Sequence, residues 1–427
     1  MKACFSSLRL LALGLLALPL VPCCAWALEA IHRLQAPAAP PAGCRLPPTS
    51  VVTRANPRLL NYHHLSFPES RVAHKEERLA QWDVLVLNHD DVQRDKLSLA
   101  KIRRVHPRVK ILAWVPLQGP NDGLAPGVPR EGPRDWYAKT PAGKYLAPHW
   151  GGRLMNAYAE DLAWPRHVLR YATGQCLAPG AYDGVMFDCL WEGEPADCDV
   201  NGDQVRDARD KTAWQAGMLF LLEDLRKRFP EAIVTGNGGL PWSDDCPYWR
   251  LANGCMHENA LGDQFGGPDW RLLWDGYRRT LAKVQGRPAY HLIAADVRAH
   301  GRSQDAAARL DRLTENDLRR LRLGLATTLL LDAGYFGFDR GDCLHGQLWW
   351  RDEYDLDLGD PLGPYREGVY GPGSFSRAFA RGLVVVNPTA ATLTVKTDRP
   401  LMDASSKQAG RSFLVPPNDA RLLSGKG

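Results

Sequence analysis

Carboxylates and side-chain amides recur at the ends of short apolar runs along this chain, and tryptophans are scattered between them. The most marked case is Tyr182-Asp183-Gly184-Val185-Met186-Phe187-Asp188. Val185 to Phe187 form an apolar run suited to a strand buried on both faces, and Asp188 follows it abruptly. A carboxylate at the C-terminal end of a buried parallel strand is where barrel enzymes carry catalytic groups. It can equally cap the next loop or hold a structural ion, and the local sequence leaves both readings open. Similar run ends offer Asn61 and His63, Asn88, Trp114, Asn156, Asn237, Glu258, Asp296, Asp332 and Asp339, interleaved with Trp150, Trp191, Trp242, Trp349 and Trp350. Paired carboxylates perform acid, base and nucleophilic work on glycosidic bonds. Amides and histidines bind sugar hydroxyls, and tryptophan faces stack on sugar rings. The chain has no G-x-S-x-G elbow and no H-E-x-x-H helix, which argues against a serine esterase or a zincin. A metal-dependent hydrolase or deacetylase is the third reading, without a ligand motif to support it.

Positioning such residues requires strands alternating with helices. Runs at 59–62, 83–87, 110–115, 154–156, 184–187, 232–235, 254–257, 289–295 and 326–336 alternate with helical stretches, which reads as α/β with a parallel sheet. Helices are expected over 160–172 and 269–285. Another should follow Asp210, with Trp214, Met218, Leu221, Leu222, Leu225 and Phe229 on one face. A further one should be capped at Thr314 with Asp317 three residues on. About eight units fit a closed (β/α)₈ barrel. An open doubly wound sheet is the alternative, but no G-x-G-x-x-G follows the first strand. From Phe375 onward short alternating runs predict a small antiparallel β-domain. The expected division is a signal peptide (1–27), a Pro/Ala-rich linker (28–54), a (β/α)₈ TIM barrel (55–372) and a C-terminal antiparallel β-domain (373–427).

The signal peptide is read from Lys2 and Arg9, the apolar run Leu10 to Val21 and Ala25-Trp26-Ala27. Export is expected, to the periplasm or beyond. Lipoprotein anchoring through Cys23 is less favoured, because Pro22 occupies a position that wants a small residue. Losing Lys2 and Arg9 lowers the net charge from +5 to +3, which does not suggest a nucleic-acid partner. The mature chain has no apolar run long enough to cross a membrane. Of ten cysteines, seven follow residue 27. A bridge such as Cys189–Cys198 would close a short loop.

Three stretches resemble the strand signatures of bacterial TIM-barrel glycoside hydrolases: Asp183 to Asp188, Asn253-Gly254-Cys255-Met256-His257-Glu258 and Asp332-Ala333-Gly334-Tyr335-Phe336. The segments Trp349-Trp350-Arg351-Asp352-Glu353-Tyr354-Asp355-Leu356-Asp357-Leu358-Gly359 and Gly382 to Pro388 extend the likeness. Over roughly residues 55–425 the chain resembles hypothetical glycosyl hydrolase family 15, distantly like the endo-α-1,4-polygalactosaminidases. The resemblance implies hydrolysis of a poly- or oligosaccharide by Asp188 and Glu258, with no organic cofactor. Glu258 is expected as acid/base and Asp188 as nucleophile or base, since the drier carboxyl keeps its proton. Glu192 is held in reserve. Asn61, His63, Asn88, Trp114, Trp150, Trp191, Asn237, Asp296 and Asp332 are the expected substrate-binding residues. Asn156 departs from the aspartate expected in related barrels. The alternative is a catalytically silent carbohydrate-binding or assembly protein on the same barrel.

A second motif is Asp199-Val200-Asn201-Gly202-Asp203-Gln204-Val205-Arg206-Asp207-Ala208-Arg209-Asp210. Oxygen side chains at its first, third, fifth, ninth and twelfth positions match a calcium loop, with the Val205 carbonyl as a further ligand. The expected metal set is Asp199, Asn201, Asp203, Val205, Asp207 and Asp210 around one structural calcium, with Arg206 and Arg209 turned away. Gln204 departs from the usual glycine. The competing reading is an acidic surface loop balanced by its own arginines.

Overall fold

The computed structural model describes residues 40–51, 53–63, 72–117, 134–146, 154–195, 197–239, 241–261, 269–297, 312–339 and 345–425. Eight parallel strands run in sequence order: β1 (Leu60–His63), β2 (Val84–Asn88), β3 (Lys110–Pro116), β4 (Gly184–Asp188), β5 (Ile233–Asn237), β6 (Gly254–Ala260), β7 (His291–Asp296) and β8 (Gly334–Asp339). The sheet closes on itself. Leu59 bridges Phe336 in parallel, and the Phe336 amide donates to the Arg58 carbonyl at 3.0 Å. This is the (β/α)₈ barrel.

Side chains alternate strictly along such strands. Leu60, Val84, Val86, Leu112, Met186, Ile233, Met256, Leu292 and Ala294 fill the interior, and the residues between them face the helices. The surrounding helices are α1 (Lys75–Leu79), α2 (His89–Arg94), α3 (Leu99–Val105), α4 (Ala159–Tyr171), α5 (Ala208–Arg228), α6 (Trp270–Lys283) and α7 (Glu315–Leu330). The expected face of α5 is buried from Trp214 through Leu225. α7 carries the expected capping box, in which Thr314 and Asp317 each bond the other's backbone amide. No helix among the described residues is long and apolar enough to cross a membrane.

Two strand expectations fail. Leu154-Met155-Asn156 contributes only an isolated bridge, Tyr137 to Met155, and no barrel strand. The apolar run Ala326 to Leu330 is the end of α7, so β8 begins only at Gly334.

Six antiparallel strands follow: β9 (Arg366–Glu367), β10 (Phe375–Phe379), β11 (Gly382–Asn387), β12 (Leu393–Asp403), β13 (Ala409–Val415) and β14 (Asp419–Ser424), in the order β13-β12-β14-β11-β10-β9. One sheet face carries Val384, Val386, Ala420 and Leu422 into the main core. The other holds its own cluster around Val385, Val395, Phe413 and Leu423. Arg322 of α7 grips Asp419 through two 2.8 Å bonds, both side chains being buried. Trp349 and Trp350 are buried, and the Trp350 backbone pairs with Arg45. That part of the Trp-Trp motif is a seam, as its aromatic content suggests. Ala42 and Arg45, from the Pro/Ala-rich stretch, bridge to Arg312 and Trp350. Cys198 carries a buried free thiol, so the short bridge to Cys189 does not form.

Candidate active site

Inward polar or aromatic positions near the C-terminal ends of the strands are Tyr62, Asn88, Trp114, Asp188, Asn237, Glu258, Asp296 and Asp339, one from every strand. Asp188 sits deepest in the bonded network. The Trp114 indole donates to its Oδ2 at 3.1 Å and the Tyr62 hydroxyl at 3.5 Å. The Asn237 amide donates to Oδ1 at 2.9 Å, and the Cys189 backbone amide at 3.0 Å. The same Asn237 nitrogen donates to Glu258 Oε2 at 2.8 Å. One amide group therefore ties the two carboxylates, and the oxygens it joins lie within 5.7 Å, the sum of those 2.9 and 2.8 Å bonds.

Glu258 Oε1 meets His345 Nε2 at 2.8 Å. His345 Nδ1 lies 3.1 Å from both oxygens of Asp339, and the Gly346 amide also donates to Asp339. The ring packs 4.7 Å from that of Tyr62. Burial alone would drive His345 neutral, but the carboxylates on its two nitrogens outweigh that and hold its pKa well above the ordinary value. Asp188 is pushed up to about 6, first by burial and then by the charge of Glu258, against the bonds from Trp114, Asn237 and the Cys189 amide. Dryness alone would make Asp188 the proton holder. These donors oppose this, since an ionised carboxylate is the form that can accept all of them.

Other expected residues fall elsewhere. Asn88 is buried and caps α2 by accepting from the Asp90 amide. Asp296 is buried at the end of β7, beside Asp339 in register. Asn61 has the outward parity of β1, and its amide donates to the Gln347 carbonyl at 3.2 Å, so it does not join the interior residues. Asp332 precedes β8 and sits at the opposite end of the barrel, paired with Arg377 at 2.8 Å. Its placement follows from α7 taking up the run expected as strand. Trp191 stacks on Trp214 at 6.3 Å, in the layer between the β4 loop and α5. Glu192 accepts from the Ser243 amide at 2.7 Å and hydroxyl at 2.6 Å, and pairs with Lys211. It is a tie between loops. Trp150 and the His63 side chain lie outside the described residues. Tyr62 was missed in favour of its neighbours Asn61 and His63, and the parity of β1 is what separates them; His345, in the segment after β8, carried no sequence signal.

In the acidic loop, Asp199 accepts from the amides of Gly202 and Gln204 at 2.9 and 3.0 Å, and Asp203 accepts from Val205 at 2.9 Å. Asn201 likewise accepts from the Asp203 amide. Asp207 caps α5, and Asp210 bonds the amides of Val200 and Asp207. Gln204 adopts a positive φ of 64°, the conformation for which glycine is usual here. The arginines do not turn away. Arg209 pairs with Asp203 at 2.8 Å and Asp207 at 2.7 Å, and Arg206 with Glu194 and Asp210, because four carboxylates in one loop draw in the nearest cations. Asn156 supports the loop by donating to the Val200 carbonyl at 3.1 Å.

The family model of hypothetical glycosyl hydrolase family 15 matches residues 120–383, which include β4 to β8 and both tied carboxylates. The chain belongs to hypothetical glycosyl hydrolase family 15. Membership in this glycosyl hydrolase family makes it an enzyme of the glycoside hydrolase class, with carbohydrate as its substrate. Among solved structures, this family 15 chain is similar to the glycoside hydrolase domain of PelA from Pseudomonas aeruginosa, at 17% identity and TM-score 0.39, covering 69% of this chain and 95% of that one. It is also similar to an Anoxybacillus alpha-amylase, at 11% identity and TM-score 0.43, covering 87% and 98%. A GH36 alpha-galactosidase from Geobacillus stearothermophilus is similar at 13% identity and TM-score 0.47, covering 87% and 56%. No curated protein matches the chain.

Proposed function

We propose that this family 15 protein is exported and cleaves a poly- or oligosaccharide with Asp188 as nucleophile and Glu258 as general acid and base. The observation that carries the reading is the Asn237 amide bonded to both carboxylates at 2.9 and 2.8 Å. Carboxylates about 5–5.5 Å apart suit retention, whereas inversion needs about 6.5–9.5 Å for an intervening water. The 5.7 Å ceiling on the joined oxygens favours retention.

In the first step Asp188 attacks the anomeric carbon while Glu258 protonates the departing oxygen, leaving a glycosyl ester on Asp188. In the second, Glu258 takes a proton from water, whose oxygen displaces the ester and frees Asp188. The His345 imidazolium, held by Asp339, faces Glu258 and stabilises its carboxylate form between the two steps. Export rests on the charged, apolar and small-residue segments of residues 1–27.

The test is a polysaccharide depolymerisation screen on protein recovered from the exported fraction, with Asp188→Asn and Glu258→Gln alongside. Each variant should lose most turnover, by roughly 10³-fold or more, keep its circular dichroism and still bind the sugar. Full activity in either variant removes that residue from the mechanism. Binding without turnover in the wild type would favour the silent carbohydrate-binding reading. Recovery of the protein only from the cytoplasm sinks export.

We further propose that residues 199–210 bind one structural calcium through Asp199, Asn201, Asp203, the Val205 carbonyl, Asp207 and Asp210. The support is the wrapping of the first three side chains around the loop's own amides. Binding requires Arg209 to swing off Asp203 and Asp207.

A further inference from the structure

Behind the wall of the barrel, on the side away from the tied carboxylates, Cys255, His257 and His291 meet in the layer between β6, β7 and α6. Cys255 and His257 lie two apart on the outward face of β6, and His291 opens β7. Their ligand-type atoms all fall within 4.8 Å of one another. The three residues are 2%, 5% and 0% exposed. Cys255 Sγ lies 3.8 Å from His257 Nε2, which also meets the Thr280 hydroxyl at 3.3 Å. That hydroxyl has its own hydrogen committed to the Tyr277 carbonyl at 2.9 Å. Gly276 of α6 faces this layer; a Cβ there would stand 3.7 Å from His257 Nδ1, an ordinary contact, and a tight 3.0 Å from Pro241.

The unusual member is His291. Both of its ring nitrogens are buried and neither meets a hydrogen-bond partner among the described residues. An imidazole always presents at least one donor, and burying it unsatisfied is costly. Aromatic neighbours do not relieve it, since Tyr277 approaches only ring to ring at 5.7 Å and has spent its hydroxyl on the Asp332 carbonyl. A core that needed only bulk at this position would hold leucine. A nitrogen lone pair facing a thiol and a second imidazole is instead a partial coordination shell.

We propose that Cys255, His257 and His291 bind one soft d¹⁰ metal ion, copper(I) in preference to zinc, as a buried structural site. Thiolate and imidazole are the ligands that both ions accept. Charge decides between them. One thiolate and two neutral imidazoles balance a monovalent ion, whereas zinc would leave a net positive charge in a dry layer that already feels Arg279 and Arg287. Three ligands also leave zinc short of the four it prefers. Atoms bound to one ion at about 2.0–2.3 Å sit at most about 4.4 Å apart, so small side-chain rotations close the site. The thiol releases its proton to solvent as the metal–sulfur bond forms, and the ion does not change oxidation state.

The site would fasten β6 to β7 directly before Glu258, where the pairing of these strands shifts register between His257 and Ala260. Its role is therefore structural, with the carboxylate on the other side of the strand as its beneficiary. The test is an anaerobic titration of the full chain with copper(I) buffered by a chromophoric chelator, and in parallel with zinc, read by metal analysis after desalting. One equivalent of copper(I) should be retained, should raise the melting temperature, and should be lost in Cys255→Ser and in His291→Phe. His291→Phe also separates binding from folding, because a ring of similar shape keeps the core filled. Retention of zinc alone overturns the choice of copper. Equal retention of both metals by wild type and by His291→Phe, or by neither, overturns the site.

Discussion

At the residue scale, the proposed mechanism assigns Asp188 and His345 to opposite edges of a pH profile. Asp188 must be ionised to attack, and its pKa is pushed up to about 6 by burial and the Glu258 charge. kcat/KM should therefore fall as pH drops through about 6. Trp114→Phe removes a donor that favours the ionised form, so this acid edge should move to higher pH. At the other edge, the His345–Glu258 pair must hold the proton that goes to the leaving group. His345 is held well above its ordinary value, so activity should persist through neutrality and fall as pH rises through the raised value. In His345→Gln the alkaline edge should move toward acid and kcat should fall roughly 10²-fold, as for a lost acid–base partner. Unchanged edges in pH–rate profiles of both variants would assign Trp114 and His345 to packing alone.

At the element scale, the loop from β4 to α5 is the segment whose stability should respond to calcium. Ligand binding to the folded state alone stabilises by about 2.7 kcal/mol at a hundredfold excess over Kd. Chelation should lower the wild-type melting temperature and calcium should restore it, whereas Asp203→Ala should melt low under both conditions. Arg209→Gln, which removes the competing guanidinium, should strengthen the calcium response. If thermal scans show no response in either the wild type or Arg209→Gln, the loop is an acidic turn closed by arginines. The elements also show what the sequence could convey. Strand ends were legible where a short apolar run stopped at a polar residue, as Val185 to Phe187 does at Asp188. Ala326 to Leu330 misled because a buried helix end and a buried strand share the same continuous apolar pattern. Asn61 and Tyr62 are adjacent, and only the register of β1 decides which faces the interior. His345 depends on a loop path that periodicity does not encode.

At the scale of the whole molecule, barrel and C-terminal sheet are joined by charge as well as by apolar contact. Arg322 and Asp419 are buried together, and removing Arg322 strips Asp419 of its two-point partner, leaving Arg421 at 3.2 Å as its cation in the seam. Arg322→Ala should cost about 3–5 kcal/mol, whereas a double replacement by apolar residues of similar volume should recover much of it. Chemical denaturation should show the loss in a single transition if the sheet and the barrel unfold as one unit. An unchanged single transition in the single variant would show that this ion pair is not what couples them.

Because every strand supplies one inward residue at the mouth, the site also keeps time. Asp188, Asn237 and Glu258 lie within a stretch of the chain that ends well before β8, yet His345 and Asp339 come after Glu258 by more than a quarter of the barrel's length in sequence. Tyr62 and His345, whose rings touch, belong to the first strand and to the segment following the last. A nascent chain with β8 still unmade possesses both carboxylates but neither the imidazole that faces one nor the closed wall that dries the other. On the proposed mechanism, hydrolytic competence arrives only when the two ends of the barrel meet.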